Sequence, residues 1–86
     1  MSEFSNSIRE LRQVYGQSQQ AFATMLGLSI ASIAHYETDH RYPGIRITIK
    51  FIHAARMKQR KDLIEVFRRR LLNELSAEEI ASLKHL

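Results

Sequence analysis

The 86-residue chain has no cysteine, which excludes a disulfide framework, a thiolate metal site and a thiol nucleophile. No stretch approaches the roughly 18 apolar residues of a membrane span. The opening residues carry Glu3, Arg9, Glu10 and Arg12 without a hydrophobic run, so we expect no secretory leader, no membrane and a cytoplasmic protein. Proline occurs once and glycine three times. With no repeat, linker or low-complexity tract, residues 1–86 read as one domain. A chain this short buries about 60% of its unfolded surface, enough for one core, and a dimer interface would add stability. A large enzyme is excluded.

Catalytic and metal-binding patterns are also missing. His35, His40, His53 and His85 form neither an i, i+4 pair nor an HExxH motif, so a metal site is not expected. No strand-borne nucleophile elbow or glycine-rich phosphate loop accompanies the serines and acids. We expect no catalytic residues and no cofactor.

What the chain does have is positive charge, +4 overall, and its distribution is uneven. Residues 1–43 hold three basic side chains against four acidic, and residues 44–86 hold ten against five. Arg41, Arg46, Lys50, Arg56, Lys58, Arg60 and Lys61 form a block free of carboxylates. Such a block is either a solvated face or a track along a phosphate backbone.

Apolar spacing predicts helices throughout. Phe4, Ile8, Leu11 and Tyr15 share one stripe of a helix capped by Ser2 and stopped at Gly16. Ser18 caps a second, short helix with Phe22, Ala23 and Leu26 inward and Gly27 at its end. Ser29 caps a third, where Ile33 and Tyr36 face inward and Leu28 staples the entry. Gly27 is expected to adopt positive φ, and Ala23 and Gly27 to be small because two helices cross there. The run Ile45 to Phe51 alternates like a strand, yet no second run could pair with it. A helix after Pro43 and Gly44 instead places Ile45, Ile49 and Ile52 on one flank and Ile47, Phe51 and Ala54 on another. Asp62 and Glu65 then read as the capping box of a fifth helix. Ser76 and Glu79 read as that of a last helix, Ala77 to about Lys84.

The segments Ile8-Arg9-Glu10-Leu11-Arg12, Gly16-Gln17-Ser18-Gln19-Gln20-Ala21-Phe22-Ala23-Thr24-Met25-Leu26-Gly27-Leu28-Ser29 and Ile33-Ala34-His35-Tyr36-Glu37, followed by Pro43, together resemble the Xre/Cro/cI family of helix-turn-helix regulators. The resemblance covers about residues 4–56. It implies an all-α, five- to six-helix, lambda-repressor-like domain that binds double-stranded DNA. Two positions depart from the family pattern: Asp39 stands where glycine is usual after the third helix, and Gly44 where serine or threonine usually caps the fourth.

In that frame Ser18 and Gln19 sit at a helix N-terminus suited to gripping phosphate. Ser29, Ile30, Ala31, Ser32 and His35 lie on the helix expected to enter the major groove. Ile30 and Ala31 cannot hydrogen-bond, so they would meet thymine methyl groups or a protein, leaving Ser32 and His35 for polar readout. Arg41 and Arg46 flank Pro43 where the backbone would pass. The apolar face of Leu63, Ile64, Phe67, Leu71, Leu72 and Leu75 is broad, and the C-terminal helices, residues 62–85, are expected to form a homodimer through Leu63, Ile64, Phe67 and Leu71. The resemblance thus implies a dimeric repressor of bacterial or phage type. A protein-interaction module on the same fold, an antitoxin or adaptor with an unidentified protein partner, is the alternative.

Overall fold

Serine and glycine punctuation divides the chain into helices. The computed structural model describes residues 2–73, which form α1 (Glu3–Val14), α2 (Gln19–Leu26), α3 (Ile30–Glu37), α4 (Ile45–Met57) and α5 (Lys61–Asn73). No strand occurs among the described residues. The helix expected at Ala77 to Lys84, with Leu75 before it, lies outside them.

Ser2, Ser18 and Ser29 adopt extended backbone and cap α1, α2 and α3, their hydroxyl oxygens accepting from the amides of Ser5, Ala21 and Ser32. Each satisfies an amide that the first helical turn leaves without a partner. α2 ends in a left-handed turn at Gly27, φ 70°, and the Leu28 amide bonds back to the Ala23 carbonyl at 2.8 Å. A Cβ on Gly27 would meet only Lys50 Nζ, at 3.5 Å. Glycine is therefore required there by its φ and not by a close helix crossing, which corrects half of the expectation.

The alternating run is helical. Thr48, Phe51, Ile52 and Ala55 are buried at spacings of three, one and three, while Ile45, Ile47 and Ile49 are partly buried. Thr48 is inward with its hydroxyl donating to the Gly44 carbonyl at 3.0 Å, and Gly44 caps α4 without a side-chain hydrogen bond. The start of α5 also differs from expectation. Gln59, at φ 56°, turns the chain out of α4, and the Arg60 carbonyl accepts the Ile64 amide. Asp62 therefore sits inside the first turn, where a carboxylate meets the positive end of the helix dipole, and is not the cap.

Phe51 is the centre of the core. Its ring stacks on Phe22 of α2 at 6.3 Å and on Phe67 of α5 at 5.6 Å, and meets Tyr36 of α3 edge-on at 6.3 Å. Phe67 in turn meets Phe4 of α1 edge-on at 5.8 Å. Leu63, Phe67 and Leu71, expected at a dimer face, are buried within the chain, between 0% and 4% exposed. The structure corrects that expectation: α5 packs against both α1 and α4, so its broad apolar face is consumed by two intramolecular neighbours. Ile64 remains partly buried and Leu72 is exposed.

Candidate nucleic-acid interface

α3 is fastened underneath and open outside. Ile33 and Tyr36 are buried, and so is Glu37, at 1% exposure. An isolated buried carboxylate would be prohibitively costly, and here it is fully partnered. Arg12 of α1 donates from Nε to Oε2 at 2.7 Å and from Nη2 to Oε1 at 3.0 Å, and Gln19 of α2 donates to Oε1 at 3.3 Å. Arg9 lies 3.6 Å from Oε1 and also donates to the Glu37 carbonyl at 3.1 Å. The bond to Glu37 holds the Arg12 guanidinium above its ordinary pKa, against the opposing effect of burial. One carboxylate thereby locks three helices in register.

Outside, Ile30 is 44% exposed and Ala31, Ser18 and Ser29 are exposed, while Ser32 and His35 are half-buried. The Ser29 hydroxyl donates to Ser32 Oγ at 2.9 Å, which leaves the Ser32 proton free to point elsewhere. Arg41 and Arg46 are exposed on either side of the buried Pro43. Gln19 is half-buried with its amide nitrogen turned to Glu37 and not outward as expected.

The loop after α3 is tied to the start of the chain. Asp39 adopts φ 62° and takes hydrogen bonds from the Ser2 hydroxyl and the Ser2 amide, both at 2.7 Å, while Ser5 Oγ lies 3.2 Å from it. The Ser2 hydroxyl, then the Ser2 amide, hold its carboxyl below the usual range. Aspartate thus replaces glycine at a left-handed position. Beyond it, His40 Nδ1 is 2.8 Å from the Thr38 hydroxyl, which donates to the Ala34 carbonyl, and its ring is 5.8 Å from that of His35.

The sequence places Glu37 in the family-like motif and Asp39 as a departure from it without revealing the partners of either, and gives Thr38 and His40 no role. Only a buried position at the end of α3, visible as the i, i+4 repeat Ile33 and Glu37, could have flagged Glu37 as partnered. The basic block does not act as one track. Lys50 Nζ donates to the Leu26 carbonyl at 2.7 Å and closes the C-terminus of α2, Lys58 lies over the Tyr15 ring, and Arg60 pairs with Glu10 and Asp62. Of the Arg68 to Arg70 run, Arg70 stacks over Tyr42, 4.2 Å from the ring centroid, and Arg69 approaches Glu3.

A helix-turn-helix family model, of the Xre/cI type, matches residues 8–58, more than half of the chain. The chain belongs to this family of DNA-binding regulators, and its fold is the all-α, lambda-repressor-like one. No curated protein and no solved structure gives a match. None of the described helices is long and apolar enough to cross a membrane.

Proposed function

We propose that the protein is a homodimeric, sequence-specific repressor that reads a pseudopalindromic operator with α3, as a single domain over residues 1–86. The observation that carries this reading is the two-sidedness of α3: a pinned underside at Ile33, Tyr36 and Glu37 and an accessible outer side bearing Ile30, Ala31 and His35. Rigidity of this kind lets a helix enter a major groove without a large ordering cost. Ser32 and His35 supply hydrogen bonds to base edges, and Ile30 and Ala31 contact thymine methyl groups. Ser18 and Ser29 face phosphates from two helix N-termini, Gln19 braces α3 through Glu37, and Arg41 and Arg46 neutralise the flanking backbone.

Dimerisation uses the outer row of α5, where Ile64, Arg68 and Leu72 recur every four residues. Two-fold pairing doubles the contacted sequence and is the commonest closed assembly. Selection of bound fragments from a random duplex pool tests the proposal. Enrichment of a two-fold site with half-site centres about 10 base pairs apart is the expected outcome. A pool that emerges unenriched overturns it.

A further inference from the structure

A second surface of the molecule is built for a protein. Tyr15, Met25, Leu26, His53, Ala54 and Met57 line a groove of about 500 Å3 between the ends of α2 and α4. None of them belongs to the DNA contacts proposed above. Met25 is 41% exposed and Met57 80%. Both are exposed apolar side chains, and their thioethers adapt to differently shaped apolar partners.

The charge on the two helices that wall the groove is of one sign. α2 and α4, which wall it, contain no carboxylate in residues 19–26 and 45–57. Lys50 contributes to the lining and Lys58 stands over the Tyr15 ring, 4.6 Å from its centroid. A second copy of the chain brought face to face would set these cations against themselves. A nucleic acid would satisfy the cations and leave the methionines without an apolar partner.

We propose that this groove docks an acidic amphipathic helix of a partner protein. The partner's apolar stripe fills the space between Met25 and Met57, as helices do in hydrophobic grooves. Its flanking carboxylates meet His53 and Lys58. The groove and α3 share no residue.

The test uses the full chain and three synthetic helical peptides of about four turns: one with a leucine stripe flanked by glutamates, one with lysine in place of every glutamate, and one with serine in place of every leucine. The glutamate–leucine peptide is expected to shift the amide resonances of Met25, Leu26, His53 and Met57 saturably, leaving those of Ile30 and Ala31 unmoved. Its affinity falls at least about tenfold in Met57→Glu and in His53→Glu, both exposed positions whose variants keep the parental helical signal. The other two peptides do not bind. The proposal is overturned if no peptide produces a saturable shift at the groove, if the lysine peptide binds equally well, or if a random DNA duplex shifts the same resonances.

Discussion

The Glu37 carboxylate at the end of α3 is gripped by both prongs of the Arg12 guanidinium of α1, at 2.7 and 3.0 Å, in a site nearly closed to solvent. A buried ion pair contributes little net stability, because desolvation offsets the Coulomb attraction, yet halving it strands a charge. Its value here is geometric: it sets how α3 stands on α1.

Glu37→Ala should therefore cost about 3–5 kcal/mol, and the double variant Arg12→Leu/Glu37→Leu much less. Urea denaturation of these variants and of the two leucine single variants checks this. A double-variant loss equal to the sum of the Arg12→Leu and Glu37→Leu losses would show that the pair is not energetically coupled.

The basic side chains should separate in a salt titration of DNA binding. Arg41→Ala and Arg46→Ala are each expected to reduce the log–log slope by about 0.9, the signature of one phosphate contact. Lys50→Ala should leave the slope unchanged and lower stability by about 1 kcal/mol, since its ammonium closes the C-terminus of α2.

Base reading should fail position by position. Ser32→Ala or His35→Ala is expected to relax preference at one operator position by about 1–3 kcal/mol, Ile30→Ala to weaken discrimination at a T·A pair, and Gln19→Ala to reduce affinity without changing preference. Sequence profiles of the four variants against the parent decide it, and four unaltered profiles would remove α3 as the reader.

α5 should give two distinct outcomes. Phe67→Glu places a charge at a fully buried position and should unfold the chain. Ile64→Glu or Leu72→Glu, on the accessible row, should leave the helical signal intact and yield monomers by sedimentation. If those variants remain dimeric, the dimer face lies elsewhere.

Acid should weaken the fold through two carboxylates. The Asp62 carboxyl is lowered from 3.8 to about 2, chiefly by its hydrogen bond from Arg60, and Asp39 is lowered by Ser2. A depressed folded-state pKa gives stability that is complete above the unfolded value and lost as the pH falls through the folded one. The Asp62 contribution should therefore fade between pH 3.8 and about 2. Thermal midpoints measured across that window should fall less steeply in Asp62→Asn.

Much of the fold was legible because capping serines and apolar spacing are local signals. Ser2, Ser18 and Ser29 marked helix starts directly, and the lack of a pairing partner decided the helical reading of Ile45 to Phe51. Long-range partnerships were not legible. Nothing near Glu37 in sequence indicates that Arg12 and Gln19 converge on it, and nothing in the basic block distinguishes Lys50, spent on a helix end, from Arg41 and Arg46. The destination of the apolar face of α5 was missed for the same reason: periodicity shows that a face must be covered and not by which surface.

The ring cluster at Phe51 makes recognition inseparable from global folding. α2 and α3 span eight residues each, too few to hold helical shape alone in water, and their Phe22 and Tyr36 rings rest on Phe51, which rests on Phe67 of α5. A peptide cut to the two helices and their turn would be a coil, and transplanting it to another scaffold would require transplanting the aromatic cluster as well. Heating should accordingly extinguish DNA affinity and tertiary structure in a single cooperative step.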